Sequence, residues 1–201
     1  MTQVDFVGSA KAVPAGFSYQ PEFLNLAEES VLLKVMDSLP FTEAEYREWR
    51  AKRRIVSYGG RYDFTHHALN AAPPIPEFLN PLRERIADWG GISPATIHHA
   101  VIAEYRPGTQ LGWHRDVPDF EYILGVSLGG RARMRLRPYP PKRGVRAVHA
   151  VELAPRSAYI FRGSARWNWQ HALSPTKELR YSITFRTLRQ SRPQFLTAPQ
   201  E

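Results

Sequence analysis

Cysteine is absent from this 201-residue chain, and that absence removes several chemistries at once. Without thiols the chain can form no disulfide framework, no thiolate zinc site and no cysteine nucleophile. Any metal ion held by side chains must therefore be bound by histidine and carboxylate groups.

Long apolar runs are also missing. The first residues, MTQVDFVGSAKAVPAG, lack the basic start and apolar stretch of a secretory signal, and no later segment reaches the length of a membrane span. We therefore expect a cytoplasmic protein with no membrane association. No segment points to an obligate protein partner, and a monomer is expected.

Basic residues are in excess, with 27 Lys and Arg against 19 Asp and Glu and a formal net charge of +8. This bias suits a polyanionic partner such as DNA or RNA, which is bound through its phosphates. Surplus charge also serves solubility alone. Composition by itself leaves both interpretations open.

The chain is long enough to bury one large core without disulfides or structural metals. Residues 1–20 contain Pro, Gly, Ser and Ala without periodicity, which indicates an extended N-terminal arm. We predict one domain over residues 21–190 and a C-terminal tail over residues 191–201.

Three helices are predicted in the first half of the chain. Asn25 and Glu28 form a helix-start signature that is followed by apolar residues at helical spacing. Thr42 and Glu45 repeat that signature and predict a short second helix. A third helix is predicted over residues 76–90, since it has proline at its first position and a glycine pair at its end.

The second half of the chain changes to the two-residue period of β-strands. Apolar and small residues alternate over 122–128, and strand-like runs follow at 157–162 and 180–187. Helices gathered before a series of short strands indicate an α+β protein. We expect the N-terminal helices to pack behind a sheet sandwich or an open barrel.

A candidate metal site comes from one short motif and one later histidine. His114 and Asp116 are two residues apart, so on a strand their side chains leave the same face. His171 follows a turn-rich segment and another strand, where the chain could fold back to supply a third ligand. Two histidines and one carboxylate with open positions are typical of non-haem Fe(II) oxygenases.

Other interpretations of the same residues stay open. A histidine at a strand end and a hydrogen-bonded core histidine are common without any metal. Zinc also binds such a triad, although a hydrolytic zinc site needs a nearby carboxylate base, and none can be identified in the sequence.

The segment RYSITFR, from Arg180 to Arg186, places two arginines on the polar face of one strand. Such a face can hold a dicarboxylate in a pocket through guanidinium–carboxylate pairs. Tyr105, upstream of His114, could add a hydroxyl donor. The alternative is a surface strand whose arginines point into water.

Taken together, these motifs resemble the AlkB-type Fe(II)- and 2-oxoglutarate-dependent dioxygenases over residues 21–187. The matching segments are YRPG at 105–108, HRD at 114–116, SLG at 127–129, AYIF at 158–161, WQH at 169–171 and RYSITFR at 180–186. The combination is specific, whereas the HRD motif alone is weak.

The resemblance implies a fold, two sites and a reaction. The fold would be a double-stranded β-helix, or jelly roll, backed by N-terminal helices. The implied Fe(II) ligands are His114, Asp116 and His171, and the implied 2-oxoglutarate residues are Tyr105, Arg180 and Arg186. With dioxygen, the implied reaction is oxidative demethylation or dealkylation of alkylated bases in DNA or RNA, a nucleic-acid repair activity.

The sequence departs from the family pattern at two places. Ala103 stands where the family usually has an asparagine that helps to bind 2-oxoglutarate. Pro118 stands where many repair members have an acidic residue that contacts the base, with Asp119 and Glu121 close behind it.

Residues 41–70 interleave basic and aromatic side chains around a glycine pair and resemble the family's nucleotide-recognition lid. Tyr58, Tyr62 and Phe64 are the candidates for stacking on a base, although aromatic residues before a helix are as often plain packing. Arg143, in the turn that follows residue 138, is a further substrate-binding candidate.

A second group of arginines occurs on a predicted strand. Arg131, Arg133, Arg135 and Arg137 alternate with apolar residues, so four positive charges share one face. That face could follow a phosphate backbone, or it could simply be solvated.

Two other functions remain open at this point. The same iron chemistry could act on a protein or a small molecule. Alternatively, the change at Ala103 is compatible with a non-catalytic nucleic-acid-binding barrel.

Overall fold

The computed structural model describes residues 13–46, 49–63, 68–70, 72–141 and 149–189. The strands are β1 (Phe17–Gln20), β2 (Thr42–Tyr46), β3 (Trp49–Tyr58), β4 (Arg61–Asp63), β5 (Ala68–Asn70), β6 (Ile97–Tyr105), β7 (Leu111–His114), β8 (Phe120–Gly129), β9 (Ala132–Pro138), β10 (His149–Leu153), β11 (Ala158–Phe161), β12 (Trp169–Leu173) and β13 (Arg180–Leu188). The helices are α1 (Leu26–Met36), α2 (Asn80–Gly90) and α3 (Gly163–Trp167), and short 3-10 turns cover Glu77–Leu79 and Pro94–Thr96.

Two antiparallel sheets form the body of the protein. The larger has the order β1-β11-β8-β13-β6-β3-β2 and the smaller the order β10-β9-β12-β7, while β4 and β5 pair separately. Many strands that pair with each other are distant in the sequence. For example, β13 lies between β6 and β8 and pairs with both. The predicted α+β class and double-stranded β-helix are confirmed.

Strand alternation gives the protein two cores, one on each face of the larger sheet. Ile183 of β13 faces the helices and packs in a cluster with Leu32 of α1 and Ile86 of α2. Fully burying an aliphatic side chain such as Ile86 contributes about 1.5–3 kcal/mol. The opposite face looks into the space between the sheets, where Tyr105 and Leu136 belong to a second cluster.

The first predicted helix is confirmed as α1. Its N-terminus has a capping box, in which the Glu28 backbone N–H donates to Asn25 Oδ1 at 2.9 Å and the Asn25 N–H donates to Glu28 Oε2 at 2.7 Å. The next residue, Glu29, accepts from the Gly129 N–H at 2.9 Å and pairs with Arg156 at 3.2 Å. These contacts fix α1 to the end of β8.

The third predicted helix is confirmed as α2, except that its first turn, at Glu77–Leu79, is a 3-10 turn. It ends at Gly91, whose φ of 66° is left-handed and favours glycine.

In the described residues, no helix is long and apolar enough to cross a membrane.

The second predicted helix is wrong, because Thr42–Tyr46 is strand β2. Its register on β3 pairs Thr42 with Ile55 and Glu43 with Arg54. A helix of four or five residues forms few hydrogen bonds for the cost of its nucleation, whereas a neighbouring strand offers a ladder of partners. The local capping signature is therefore outweighed by a partner strand that a local pattern does not show.

The predicted strand runs in the second half are confirmed as β8, β11 and β13. β1, at the end of the predicted arm, pairs with β11, so residues 17–20 belong to the larger sheet. β2 and β3, within the predicted lid over 41–70, also join that sheet. The predicted tail over 191–201 lies outside the described residues.

Candidate active site

The three predicted metal ligands meet between the two sheets. β7 and β12 are paired with His114 directly opposite His171. Asp116 follows two residues after His114, and its Oδ2 lies 3.7 Å from His171 Nε2. One ligand atom from each of the three residues lies within 4.8 Å of the others. The structure therefore brings together residues that are separated by 55 positions in the chain.

Both histidines have the protonation state that a metal ligand needs. Burial lowers the pKa of His114, and burial together with the neighbouring His114 lowers the pKa of His171 to about 3. Both rings are therefore neutral at pH 7. The Nδ1–H of His114 donates to the Gly112 carbonyl at 2.9 Å, which leaves Nε2 available for a metal ion.

Asp116 is held in place by Arg186. The Nε and Nη2 of Arg186 donate to Asp116 Oδ1 at 3.0 and 2.8 Å, and its Nη1 lies 3.3 Å from Nδ1 of the buried His99. Burial alone would raise the pKa of Asp116, but Arg186 and the two ligand histidines outweigh it and hold that pKa well below its usual range. The Asp116 carboxylate is therefore ionised at neutral pH, as metal binding requires.

Arg180 has no such partner for its terminal nitrogens. The side chain is fully buried, its Nε donates to Ser127 Oγ at 2.9 Å, and its guanidinium carbon lies 5.0 Å from the centre of the Tyr105 ring. Among the described residues, neither Nη1 nor Nη2 has a hydrogen-bond partner. Unpaired buried N–H groups cost about 1–3 kcal/mol each, so this position favours an anion that accepts from both.

These groups fit a bound metal ion and a dicarboxylate. Two neutral histidines and one ionised carboxylate form a nitrogen and oxygen donor set that suits Fe(II) and leaves positions free. The free edge of Arg180 fits a carboxylate group, which accepts two N–H bonds from a guanidinium. Tyr105 and Arg180 are direct partners across β6 and β13, as a shared pocket requires.

Sequence reasoning missed Arg166, which supports the loop that carries Asp116. Its side chain is buried, and its Nη2 donates to the carbonyls of Asp116, Val117 and Phe120 at 3.2, 2.7 and 2.9 Å. Because one guanidinium contacts three carbonyls, it fixes the backbone directly after the ligand. No periodic pattern in the sequence marks this residue, since it lies in the short helix α3.

Two further side chains near the triad were not assigned a role from the sequence. Trp169 is half-buried on the same face of β12 as His171, and its ring centre lies 5.3 Å from that of His149. Arg53 shares the inward face of β3 with Ile55, which packs against the inner core, and its Nε is buried without a partner among the described residues. Its charge helps to lower the pKa of His114 after burial, so it lies near that ring.

The predicted substrate residues have mixed outcomes. Tyr58 is buried in the core between the larger sheet and the helices, which favours packing over base stacking, and burial raises the pKa of its hydroxyl. Phe64 and Arg143 lie outside the described residues, as does the side chain of Tyr62. Stacking by Tyr62 or Phe64 and substrate binding by Arg143 stay predictions.

A family model described as the 2OG-Fe(II) oxygenase superfamily matches residues 21–186 of this chain. The match contains the three triad residues and both arginines of β13. The chain belongs to this superfamily.

Sequence relatives among known proteins indicate which members of the superfamily this chain is similar to. Uncharacterized protein L905 of Acanthamoeba polyphaga mimivirus is 30% identical over 194 residues, which cover 86% of this chain and 85% of that protein. The alkylated DNA repair protein ALKBH8 homolog of Arabidopsis thaliana is 29% identical over 194 residues, or 84% of this chain and 53% of the plant protein. The chain thus spans about half the length of that relative. The probable RNA/DNA demethylase ALKBH6 of Danio rerio is 28% identical over 110 residues, or 54% of this chain and 44% of that protein.

Solved structures agree on the fold. OsALKBH1 superposes with a TM-score of 0.69 at 16% identity, over 88% of this chain and 100% of that one. A prolyl hydroxylase of Trichoplax adhaerens, solved with a hypoxia inducible factor peptide, gives a TM-score of 0.60 at 16% identity, over 86% of this chain and 83% of that one. A Pseudomonas putida prolyl-4-hydroxylase gives a TM-score of 0.57 at 17% identity, over 88% of this chain and 94% of that one. At these identities the likeness shows the fold alone.

Within the superfamily, the chain is similar to the AlkB-type relatives from the plant and the fish. It is a dioxygenase that depends on Fe(II) and 2-oxoglutarate and consumes dioxygen.

Proposed function

We propose that this dioxygenase removes alkyl groups from alkylated bases in DNA or RNA, and so repairs nucleic acid. The observation that carries the proposal is the group of aromatic and basic side chains around the triad, represented by Trp169, His149 and Arg53. Aromatic rings stack on bases, and arginine pairs with phosphate. The net charge of +8 and the names of the plant and fish relatives support the same substrate class.

Each part of the site has a defined role in this proposal. His114, Asp116 and His171 hold the iron, and Arg186 keeps Asp116 ionised and correctly oriented. Bound there, Fe(II) and 2-oxoglutarate would supply the oxidising chemistry: one atom of dioxygen would enter succinate as carbon dioxide is released, the other would hydroxylate the alkyl carbon, and the hydroxylated group would be lost from the base as an aldehyde.

Arg180 holds the carboxylate of 2-oxoglutarate that is remote from the metal. Its two free nitrogens donate to that carboxylate, while Ser127 fixes the guanidinium through Nε. Ala103 faces the same space and donates no side-chain hydrogen bond, so more of the cosubstrate's binding energy comes from Arg180.

Trp169 is our candidate for stacking on the extruded base. It is two residues from His171 on one face of β12, which separates the two positions by about 7 Å. A base stacked on Trp169 would lie close to the metal without competing for its ligands. Trp169→Ala should raise the KM for the nucleic acid and leave the KM for 2-oxoglutarate unchanged.

The direct test is turnover of defined lesions. Oligonucleotides of DNA and RNA that carry a methylated or etheno-modified base are incubated with the protein, Fe(II), 2-oxoglutarate and air, and both succinate and oligonucleotide mass are measured. We expect loss of the alkyl group together with equimolar succinate on at least one lesion. Asp116→Ala should form neither product, and unmodified oligonucleotides should show no change of mass.

Two outcomes would contradict the proposal. If peptides or small metabolites drive succinate formation and no modified oligonucleotide does, the protein is an AlkB-type oxygenase of another substrate class. If anaerobic Fe(II) and 2-oxoglutarate give no visible charge-transfer band, the protein is a non-catalytic barrel.

A further inference from the structure

A strongly basic surface covers the outer side of the smaller sheet. We call it the basic face and define it by Trp113, Arg115, Arg133, Arg135 and Arg137. On β9 the apolar residues between the arginines are buried among the inner core, so the three arginines of this strand point outward. Side chains on alternate residues of a strand are about 7 Å apart, so β9 presents a row of evenly spaced cations.

Trp113 holds two of these cations in a defined geometry. It lies on β7, and its ring centre is 4.3 Å from the guanidinium carbon of Arg137 and 5.1 Å from that of Arg135. A guanidinium that stacks on an indole loses side-chain freedom but keeps N–H groups at its edge for an anion. The row is therefore partly pre-organised, which lowers the entropic cost of binding.

The arginines of the basic face are only weakly neutralised by acidic side chains. Glu152 of β10 lies 3.7 Å from Arg133, and these two side chains are 62% and 60% exposed, so water screens the pair. Arg137 donates from Nε to the neutral Oε1 of Gln170 at 2.8 Å. The positive charge of the face is thus available to an external partner.

The basic face is continuous with the triad. Arg115 stands between the two ligands His114 and Asp116, and its guanidinium carbon lies 3.8 Å from the centre of the exposed Tyr139 ring. Arg115 also lies around one small recess together with Asp116 and His171. The basic face therefore ends next to residues of the triad.

We propose that the basic face binds the phosphate backbone of the nucleic-acid strand that flanks the base in the iron site. This inference rests on the proposed function and adds where the strand docks. Evenly spaced cations fit a repeating polyanion, and the N–H groups at the edges of the stacked guanidiniums are available to phosphate oxygens. Because contacts to phosphate carry no sequence information directly, binding through this face is independent of sequence.

The test uses two double variants that remove the same charge from opposite sides of the protein. Arg135→Gln with Arg137→Gln alters the basic face, and Lys34→Gln with Arg85→Gln alters exposed positions on α1 and α2. Binding of a fluorescent, unmodified single-stranded oligonucleotide is measured over a range of salt concentrations. Each phosphate contact contributes about 0.7 to the slope of log Kobs against log salt for single strands. We expect the slope to become shallower by about 1.4 in the basic-face variant and to stay at the wild-type value in the helix variant.

The outcomes separate the proposed docking site from the proposed dealkylation activity. Equal slopes for the two double variants, with intact oligonucleotide binding, would overturn the docking site and leave base dealkylation standing. Absence of binding of the unmodified oligonucleotide by the wild type would also overturn the docking site, whereas base dealkylation is decided separately by turnover of the modified oligonucleotides. Polyglutamate competing as well as the oligonucleotide at matched ionic strength would mean that the face binds any polyanion, including acidic proteins, and would also overturn the proposal.

The iron site is monitored in parallel, because Trp113 adjoins His114. The anaerobic charge-transfer band with Fe(II) and 2-oxoglutarate reports whether each variant keeps its triad. If the first variant loses the band, Arg133→Gln replaces it, with Lys34→Gln as its control, since Arg133 lies further along β9 from the ligands. A slope shallower by about 0.7 is then expected, the contribution of one phosphate contact on a single strand.

Discussion

Arg180 and Arg186 stand six residues apart on one face of β13, yet they have different partners. Arg186 donates to the ligand Asp116 and contacts His99, whereas the terminal nitrogens of Arg180 lack partners among the described residues. The two arginines therefore differ in their contacts. Arg180 has N–H groups free to receive a carboxylate, Arg186 holds the carboxylate of Asp116, and binding of 2-oxoglutarate by either arginine stays a prediction.

Arg180→Met should weaken 2-oxoglutarate binding and leave metal binding intact. Losing one partner of a buried, hydrogen-bonded ion pair costs about 2–5 kcal/mol, which corresponds to a rise in Kd of roughly 30-fold or more. The measurement is anaerobic titration of the charge-transfer band, with the exposed Arg85→Met as the matched control. An unchanged Kd for 2-oxoglutarate would remove Arg180 from the site.

The same variant should not destabilise the protein in the absence of 2-oxoglutarate. Arg180 is then a buried cation with unsatisfied N–H groups, and replacing such a group by an apolar one is often neutral or stabilising. Urea unfolding of the ligand-free proteins measures this directly. A large loss of stability would show that the side chain of Arg180 contributes to the fold through its contacts with Ser127 and Tyr105.

Arg166→Met should weaken metal binding, because Arg166 fixes the carbonyls that follow Asp116. Changes to groups that support metal ligands typically reduce metal affinity by about 10- to 100-fold. Fe(II) or Mn(II) titration measures the effect, and Arg162→Met, four residues earlier and exposed, is the control. Arg166→Lys should recover part of the affinity, since one ammonium reaches fewer of the three carbonyls. Equal metal affinity in the wild type and Arg166→Met would contradict this role.

Among the elements, β3 is held to the rest of the larger sheet by its backbone pairing with β6 and by an ion-pair group at the end of that pairing. Arg54 of β3 donates from Nε and Nη2 to the two carboxylate oxygens of Glu104 on β6, at 2.8 and 2.6 Å. Arg106 adds a third bond at 2.9 Å. The hydrogen bond from Arg54 chiefly holds the pKa of Glu104 below its ordinary value, against the opposing effect of burial. Because β3 lies next to the edge strand β2, these bonds secure the part of the sheet that carries Arg53.

Glu104→Gln should destabilise the protein at neutral pH and lose that effect in acid. A folded pKa that is lowered contributes stability above the unfolded pKa and loses it as the pH falls through the folded pKa. The difference from wild type should be about 1–3 kcal/mol at pH 7 and should shrink as the pH falls below the ordinary value of 4.5. Urea unfolding at several pH values measures it, with the exposed Glu152→Gln as control. A difference that does not vary with pH would mean that packing, not charge, is responsible.

For the whole molecule, folding and ligand binding are linked through the space between the sheets. The larger sheet supplies Arg180 and the smaller sheet supplies His114 and His171. A metal ion with its bound cosubstrate therefore connects both sheets. Ligands that bind only the folded state stabilise it by mass action.

Mn(II) and 2-oxoglutarate together should raise the thermal unfolding temperature more than the sum of their separate effects. A ligand at 100 times its Kd adds about 2.7 kcal/mol, and 1 kcal/mol shifts Tm by about 2–4 °C for a protein of this size. We expect a rise of roughly 5–10 °C for a single ligand at that concentration and a larger rise for the pair, reversed by a chelator. Asp116→Ala should lose the coupling and keep at most a small response to 2-oxoglutarate. Strictly additive shifts in the wild type would show that the two ligands do not meet.

The sequence by itself determined which residues share a face. The two-residue period of β13 placed both arginines on one side, and the spacing of His114 and Asp116 placed both ligands on one side. The capping box of α1 was equally local, because Asn25 and Glu28 bond each other within one turn. Such features depend on neighbours in the chain, so their prediction was confirmed.

Only the tertiary structure decided which distant element packs against each face of a strand or helix. Thr42–Tyr46 became a strand because β3 offered it a ladder, and Tyr58 was buried because helices cover that side of the sheet. Arg166 supports the metal loop through carbonyls 46 to 50 residues earlier in the chain. The physical reason is the same in each case. Alternation along a strand assigns side chains to faces at short range, whereas the partner of a face comes from distant elements and is set when the sheets and helices pack.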